Sequence, residues 1–282
     1  MDSFEKWVGR TERTTDHVDA DRVSKMHATL SDDSPSIQVG DSVPLLWHWM
    51  FFPAVAHRGE LGRDGHPKKG GFLPPIDLPR RMWAGGRLEF SKAIAVGEVL
   101  DRTSTIKSIA PKQGRSGKMV FVTVEHQINC GGSNRLTEQH DIVYREDPNS
   151  TSNSPPSYID APSSWEHTFD IIPDPVTLFR YSALTFNGHR IHYDRKYCNE
   201  VEGYPGLVVH GPLIATYLVK LLIERYPNVD VDAFQFRAMK PIFDLHSFSV
   251  FSEQQSETEI MLWAADHEGH VNMKANAVVR SR

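Results

Sequence analysis

The sequence is poor in cysteine and has no long apolar run, and each absence excludes whole classes of protein. Its 282 residues include two cysteines, Cys130 and Cys198. Two cysteines make neither a disulfide framework nor a thiolate zinc site, and they indicate a reducing compartment. The N-terminus, MDSFEKW, is acidic and lacks the basic start and apolar run of a signal peptide. We therefore expect a cytoplasmic protein.

The two most apolar stretches, Val43–Ala56 and Leu207–Ile223, are too short to cross a membrane. A spanning helix needs roughly 18–20 predominantly apolar residues. Polar residues such as His48, His210 and Lys220 also interrupt the two stretches. Both stretches therefore predict buried helices, and no membrane partner is expected.

An excess of positive charge is also absent. Lysine and arginine number 31 against 36 acidic residues, and the formal net charge is −5. This balance provides no general attraction to nucleic acid, although a local basic patch could hold a phosphorylated ligand. The 39% hydrophobic content fills a real core and excludes a disordered chain. The length suits one large domain or two of ordinary size.

The plainest boundary is the segment 146–164, in which proline, serine and asparagine take the place of apolar residues. Its sequence, EDPNSTSNSPPSYIDAPSS, has almost no apolar periodicity and predicts a linker. The linker separates residues 1–145 from residues 165–282. We call these parts the N-terminal half and the C-terminal half.

The two halves repeat one order of predicted elements. Each half reaches an apolar helix candidate, Pro44–Phe52 in the first and Pro212–Arg225 in the second. Each then continues in extended segments with β-branched and aromatic residues at alternate positions. These segments are Arg87–Val96, Val99–Ile109, Lys118–Ile128 and Leu136–Tyr144, and then Phe234–Phe243, His246–Phe251, Glu257–Ala264 and Val271–Val279.

The register of the two halves also matches. LEFSKAIAVGE (Leu88–Glu98) superimposes on FQFRAMKPIFD (Phe234–Asp244) with its apolar positions aligned. One buried helix followed by a long antiparallel sheet predicts an α+β fold in which the sheet wraps around the helix. Two copies in one chain predict a pseudo-dimer with a site between the halves. Two unrelated α+β domains, or one irregular domain, are the alternative.

The densest group of reactive side chains lies in Tyr181–Asp194, YSALTFNGHRIHYD. His189 and His192 in this stretch can exchange protons near neutral pH. Further along, Pro212 suits the first turn of a helix, which would place the N–H of Gly211 at the helix N-terminus. Such a donor stabilises negative charge that develops on an oxygen. The combination suits enolate chemistry beside a carbonyl group.

Two other interpretations of these histidines are open at this point. His189 and His192 are three residues apart and could be metal ligands, but no third ligand with suitable spacing is evident. They could also be surface residues of a loop, because a chain with 14 histidines contains accidental pairs. No metal or cofactor is predicted.

The C-terminal half resembles the MaoC-like hydratase 2 family of hot-dog enzymes. The aliphatic residue and histidine of the family's motif match Ile191 and His192, and its small residue matches Cys198. The segment that leads into the family's central helix matches PGLVVHG at Pro205–Gly211. The match covers residues 175–282, whereas the N-terminal half resembles the degenerate partner domain only in pattern. The whole chain is most similar to bacterial double hot-dog hydratases of C5 dicarboxyl-CoA esters, the mesaconyl-C4-CoA and itaconyl-CoA hydratases.

The resemblance implies a double hot-dog fold and a hydratase that needs no cofactor. One departure from the general family matters: its catalytic aspartate is Asn187 here, and its asparagine is His189. A carboxamide cannot exchange protons at physiological pH. We therefore expect His192 to move protons, Asn187 to orient water or the thioester, and Gly211 to bind the thioester oxygen. His189 and Asp194 are further candidates for the missing share of proton transfer.

The anionic substrate that the resemblance implies needs cations. Six residues are predicted to contact it: Arg80, Arg81, Tyr193, His210, Arg237 and Lys240. The resemblance places the last two on a phosphate-facing edge. The two arginines of LPRRMWAGGR would reach the acyl pocket across the pseudo-dimer and hold a carboxylate. Solvated arginines at strand ends are the alternative.

The resemblance favours a short dicarboxylic enoyl-CoA as substrate, with mesaconyl-C4-CoA or itaconyl-CoA converted to citramalyl-CoA in itaconate degradation. A dehydratase of 3-hydroxyacyl thioesters is the first alternative, and it would need a long apolar tunnel. A non-catalytic acyl-CoA-binding protein, suggested by Asn187, is the second. We expect a homodimer or a higher homo-oligomer.

Overall fold

The computed structural model describes residues 4–31, 33, 35–114, 117–146 and 158–282. The strands in these residues are β1 (Thr11–His17), β2 (Arg80–Phe90), β3 (Val99–Gly114), β4 (Gly117–Cys130), β5 (Ser133–Arg145), β6 (His167–Ile171), β7 (Val229–Ala238), β8 (Phe248–Gln254), β9 (Glu259–Ala265) and β10 (Val271–Ser281). The α-helices are α1 (Ala20–Leu30), α2 (Pro175–Leu184), the short α3 (Arg195–Tyr197) and α4 (Gly211–Arg225).

The strands form one antiparallel sheet in the order β1-β3-β4-β5-β2-β7-β10-β9-β8-β6. This order reads the same from both edges, because β1 to β5 of the N-terminal half correspond to β6 to β10 of the C-terminal half. The halves join where β2 pairs with β7, and Leu88 faces Phe234 across the junction. These are the two residues that begin the predicted superposition. The α+β prediction with two copies of one topology is confirmed.

The predicted linker, residues 146–164, falls largely outside the described residues, which omit 147–157. Its last residues run beside β10: Asp160 forms a bridge with His270, and the N–H of Ala161 donates to the carbonyl of Gly269 at 2.8 Å. The exact domain boundaries stay a prediction.

The helix α4 is the centre of the C-terminal half and begins at Gly211, one residue before its predicted start. It packs against β6, β7, β8, β9 and β10. Most of its circumference is apolar, as expected of a helix enclosed by a sheet. Its nine buried residues are Leu213, Ile214, Ala215, Thr216, Tyr217, Leu218, Val219, Leu221 and Leu222. Across the described ranges, no helix combines the length and apolar character needed to cross a membrane.

The prediction of a helix at Pro44–Phe52 is wrong. The chain makes a single 3-10 turn there, Trp47–Met50, and both Leu46 and Phe52 have a positive φ that a helix does not allow. Nine residues are too few for a stable helix without strong local propensity. The N-terminal half has its helix earlier, at α1, where the side chain of Asp19 caps the first turn by accepting from the N–H of Arg22 at 2.7 Å.

The other strand predictions differ from the structure mainly at the junction. The predicted Arg87–Val96 and Phe234–Phe243 correspond to β2 and β7, which begin and end several residues earlier. The edge strands β1 and β6 escaped prediction, because a polar sequence such as TERTTDH has no apolar alternation. These shifts matter for the site, because β2 and β7 carry three of its predicted cations, Arg80, Arg81 and Arg237.

Candidate active site

The N-terminus of α4 opens onto a cavity of about 1340 Å³ that residues of both halves line. His210 takes the N-cap position, with Gly211 and Pro212 at the first helical positions. The N–H groups of a first helical turn have no partner within the helix. Gly211 lines the cavity, and a Cβ at this position would meet no atom within 4 Å. The helix therefore presents a backbone donor and its positive dipole end to open space.

We call the loop Thr185–His192 the catalytic loop, because the sequence predicts catalytic residues in it. It follows α2 and faces the same cavity. The helix begins at Pro175 behind the capping carboxylate of Asp174, and it ends at Leu184. Phe186 then adopts φ 52°, and the N–H of Asn187 donates to the carbonyl of Ser182 at 2.8 Å. This reversal turns the loop back toward the start of α4.

His192 is buried at the end of the catalytic loop. Its Nδ1 lies 2.7 Å from the carbonyl oxygen of Val208, and because a carbonyl only accepts, Nδ1 carries the proton. The Nε2 atom therefore keeps its lone pair. Burial, and secondarily the nearby His189, lower the pKa of His192 to about 3. His192 is a neutral acceptor at physiological pH.

His210 supports His192 from behind. The two imidazole rings stack with centroids 3.7 Å apart, and Ser182 Oγ lies 2.8 Å from His210 Nε2. His210 is fully buried, and burial holds its pKa well below the usual value. It is not among the residues that line the cavity. The structure thus places His210 behind the predicted substrate contacts, as a packing partner of His192.

The N-terminal half adds two residues that the sequence did not single out. His66 lines the cavity with its ring 4.2 Å from that of His189, and its Nδ1 lies 3.0 Å from Asp64 Oδ2. Burial lowers the pKa of His66. Burial likewise lowers the pKa of His189, to about 3, with His66 as the next cause. Only the fold brings these rings together, because the two segments are far apart in the chain.

The other predicted residues in and just after this loop divide into two groups. Asn187 and Tyr193 line the cavity, and Asn187 Oδ1 accepts from the N–H of His189 at 3.1 Å. Asp194 does not line it. Its carboxylate pairs with Arg190 at 2.7 Å and accepts from the N–H of Tyr197 at 3.0 Å, which caps α3. The geometry gives Asp194 a structural role and supports no proton transfer by it.

The four predicted cations all line the cavity. Arg80 already binds Glu202 within the protein. It lies 3.4 Å from the Glu202 carboxylate and donates to the Glu202 carbonyl at 3.1 Å. Arg81 lies close enough to His66 and His189 for its charge to lower both pKa values. Arg237 is exposed on β7. The Lys240 ammonium lies over the Tyr158 ring at 3.2 Å and is buried without a hydrogen-bond partner among the described residues.

A second polar cluster lies in the N-terminal half, beside the cavity. Glu138 Oε2 accepts from Trp49 Nε1 at 2.9 Å and lies 3.2 Å from His48 Nε2 and 2.9 Å from His140 Nε2. Burial raises the pKa of Glu138, but the charges of His140 and His48 outweigh burial and hold it well below its usual value. His140 and Trp83 also line the cavity. The cluster is a buried ionic network in the cavity wall.

Three groups of three residues bring potential ligand atoms within 4.8 Å of one another among the described residues, and one of them, Asp266, Glu268 and His270, does not line the cavity. His126, Glu138 and His140 belong to the ionic network. Asp64, His66 and His189 belong to the cavity, where the positive charge of Arg81 opposes a bound cation. The bond between Asp64 and the Nδ1 of His66 is typical of an acid–base pair, and we interpret this group in that way.

The chain also matches a family of known proteins. Residues 46–244 match the family model described as hydroxyacyl-thioester dehydratase type 2. The match covers more than half of the chain, and the protein belongs to this family.

Two relatives narrow the comparison. The chain is 42% identical over 251 residues to the mesaconyl-C(4)-CoA hydratase of Chloroflexus aurantiacus, covering 89% of each chain. It is 27% identical over 248 residues to the mitochondrial hydroxyacyl-thioester dehydratase type 2 of Schizosaccharomyces pombe, covering 78% of this chain and 83% of the relative.

Solved structures confirm the fold. A MaoC-like dehydratase from Phytophthora capsici superimposes with a TM-score of 0.75 at 12% identity, covering 97% of this chain and 96% of the other. HtdX of Mycobacterium tuberculosis superimposes with a TM-score of 0.66 at 16% identity, covering 97% and 100%. The predicted double hot-dog fold and the resemblance to MaoC-like hydratases are confirmed.

Proposed function

We propose that the protein adds water reversibly to the α,β double bond of a short dicarboxylic enoyl-CoA, with mesaconyl-C4-CoA as the first candidate substrate. The observation that carries this proposal is the convergence of His192 and the N-terminus of α4 on one cavity. A neutral histidine that faces a helix N-terminus is suited to enolate chemistry. The 42% identity to a mesaconyl-C(4)-CoA hydratase supports the choice of acyl group.

In the proposed reaction, the thioester oxygen of the substrate accepts a hydrogen bond from the N–H of Gly211. A water molecule held by Asn187 and His192 attacks Cβ and loses a proton to Nε2 of His192. The π electrons move onto the thioester oxygen, and the N-terminus of α4 stabilises the resulting enolate. Return of the proton to Cα gives the hydroxyacyl-CoA, which is citramalyl-CoA when mesaconyl-C4-CoA is the substrate.

Cations in the cavity fit the anionic substrate. Arg81 lies beside His66 and His189, and we propose that it holds the distal carboxylate, because the carboxylate of mesaconyl-C4-CoA is attached at the carbon that water attacks. Arg237 and Lys240 lie on and just after β7, and we propose that they meet the CoA phosphates. Lys240 is suited to this contact, because a buried ammonium without a hydrogen-bond partner gains most from an anion.

A second candidate function is dehydration of 3-hydroxyacyl thioesters, and the family match to hydroxyacyl-thioester dehydratase type 2 favours it. The same site catalyses both directions, so acyl length separates the two candidates. Itaconyl-CoA is a third acyl group to test. We further propose a cytoplasmic location. We also propose a homo-oligomer, and sedimentation of the purified protein would measure its mass.

The deciding experiment incubates the protein separately with mesaconyl-C4-CoA, itaconyl-CoA and crotonyl-CoA. Loss of enoyl-thioester absorbance measures turnover, and a product mass increased by one water confirms hydration. We expect mesaconyl-C4-CoA to be the best substrate. Turnover of crotonyl-CoA alone would overturn the dicarboxylic substrate, and tight binding without turnover would show a non-catalytic acyl-CoA-binding protein.

A further inference from the structure

Among the described residues, His192 has no carboxylate partner of the kind that usually stabilises a protonated histidine. Its Nδ1–H donates to a neutral carbonyl, that of Val208. Its stacking partner His210 has a lowered pKa and carries no compensating negative charge. Burial disfavours the charged form of His192. A proton taken from water is therefore costly to keep on His192 while the enolate exists.

A better acceptor for this proton lies in the row of imidazole rings formed by His192, His189 and His66. The centroids of His192 and His189 are 5.5 Å apart, and those of His189 and His66 are 4.2 Å apart. His66 alone in this row has a carboxylate partner, Asp64, at 3.0 Å from its Nδ1. Burial raises the pKa of Asp64, but the interactions with His66, first of all its side-chain hydrogen bond, outweigh burial and leave the pKa lowered, so Asp64 is ionised. An ionised carboxylate directly stabilises imidazolium.

We propose that Asp64 and His66 form the second acid–base pair of the active site, which holds the proton that the substrate water releases. This assignment rests on the proposed hydratase function. Asp64 supplies the negative charge that Asn187 cannot, and it lies in the opposite half of the chain from His192.

The proton balance is closed within these groups and the substrate. As the C–O bond forms at Cβ, an O–H bond of water breaks and its proton passes to Nε2 of His192. The proton moves through His189 to Nε2 of His66. The Nδ1–H of His66 stays hydrogen-bonded to the Asp64 carboxylate. When the enolate collapses, the proton returns along the same row and bonds to Cα. All three histidines end neutral, and no metal or redox partner takes part.

Close contacts and hydrogen bonds hold the loop that carries Asp64 and His66 against the catalytic loop. The loop Leu61–Lys69 touches the catalytic loop so closely that a Cβ on Gly65 would lie 1.9 Å from the carbonyl oxygen of Gly188. The N–H of Arg190 donates to the carbonyl of Asp64 at 2.9 Å, and Arg190 Nη1 donates to the carbonyl of Arg63 at 3.1 Å. The position of His66 relative to His189 is therefore set by main-chain contacts and by the side chain of Arg190.

Four charged or titratable groups face His66. Asp64 on its own loop raises the pKa of His66, whereas burial and Arg81 on β2 lower it. His189 and His192 of the catalytic loop interact with it electrostatically. His66 therefore rests in its neutral form, and activity should fall as acid protonates it. Removing the charge of Asp64 lowers the pKa of His66 further, which moves this loss of activity to lower pH.

The test compares His66→Gln and Asp64→Asn with wild type, using mesaconyl-C4-CoA across a pH series. His27→Asn is the matched control, because His27 also faces an aspartate, Asp33, at 3.6 Å and does not line the cavity. We expect His66→Gln to lower kcat by about 10²-fold or more with little change in KM. We expect Asp64→Asn to shift the acidic limb of the pH profile downward and His27→Asn to match wild type.

Wild-type kcat in His66→Gln, a loss confined to KM, or an unshifted pH profile in Asp64→Asn would overturn the pair while leaving the hydratase standing. Activity that requires a divalent cation, lost with a chelator and restored by zinc, would also overturn it. If His66→Gln fails to fold, the pH profile of Asp64→Asn decides alone. A wild-type protein that hydrates none of the three acyl-CoA esters would overturn the proposed function and this inference together.

Discussion

The segments between the first two strands differ greatly between the halves, although the sheets around them share one topology. In the C-terminal half, the chain between β6 and β7 builds α2, the catalytic loop and the enclosed helix α4. In the N-terminal half, the chain between β1 and β2 builds α1 and then runs in turns and loops as far as Arg80. The repeated sheet is thus a common frame, and the inserted segments carry the specialised roles.

The difference has a consequence for the cavity. Among its described residues, the N-terminal half has no helix N-terminus equivalent to that of α4, and the proposed oxyanion site therefore lies in the C-terminal half. Its irregular chain instead carries Asp64 and His66 to the catalytic loop, and Arg81 follows at the start of β2. In the proposed mechanism, one half binds the developing negative charge, while the other supplies ionised side chains.

The largest effect is expected from His192→Ala in the C-terminal half. Loss of the acceptor for the water's proton should lower kcat by about 10²–10⁴-fold. Binding of the CoA ester should change little, because the cations of the cavity remain. Titration calorimetry with a CoA thioester and steady-state kinetics would measure the two properties separately, and unchanged turnover would remove His192 from the reaction.

The next effect concerns the backbone donor of α4. Gly211→Pro removes the N–H, and a proline fits there because the preceding His210 already has the extended backbone that a proline requires. We expect kcat to fall by about 10²–10³-fold, the usual cost of one oxyanion donor. Gly211→Ala, which retains the N–H, is the matched variant and should lose much less. Equal losses in both would argue against the donor.

A smaller effect should follow when the contact between the halves is disturbed. Gly65→Ala places a Cβ against the Gly188 carbonyl and should displace the loop that carries His66. Because small displacements are costly in catalysis, we expect kcat to fall by about tenfold. Gly9→Ala is the control, since Gly9 also has a positive φ but has open space around its Cβ position. Equal kinetics in the two variants would show that the contact does not matter.

The smallest effect on catalysis, and the largest on folding, is expected from Glu138→Gln in the N-terminal half. Removing one partner of a buried ionic network should lower the free energy of unfolding by about 3–5 kcal/mol. Urea unfolding would measure this loss. Glu125→Gln is the control, because its partner Lys107 is half exposed and such pairs contribute about 0–1 kcal/mol.

The same carboxylate predicts how stability depends on pH. The folded-state pKa of Glu138 is depressed, so its contribution is complete above the unfolded pKa of about 4.3 and is lost as pH falls below it. Glu138→Gln should therefore show a flatter fall in stability than wild type as the pH decreases below about 4.3. Parallel curves would mean that Glu138 does not contribute in this way.

Local sequence patterns predict the frame of this protein well. Alternating apolar residues mark the central strands, and Pro212 marks the start of α4, because both signals depend on neighbouring residues. The Pro44–Phe52 prediction is wrong because an apolar run can fill a core as a turn when the surrounding sheet encloses it. Trp47 and Met50 are buried, as their apolar character predicts, but they lie in a 3-10 turn and not in an α-helix.

The site is predictable only in part. Tyr181–Asp194 and Gly211 can be predicted as site residues because they lie in two short motifs that resemble a known family. His66 and Asp64 cannot be predicted in this way, because their proposed role arises from a contact with His189 that only the folded chain makes. The position of His210 behind His192 is likewise invisible in the sequence, which shows the residue type but not the direction in which the ring points.

The central claim is that the two halves share one proton path, and a double-mutant cycle tests it most directly. His66→Gln, His192→Ala and the combined variant would be compared with wild type by kcat for mesaconyl-C4-CoA. Residues that act as a unit lose their contributions together. We expect the combined variant to be no slower than His192→Ala alone. Losses that multiply would contradict a shared path and leave the two histidines with independent roles.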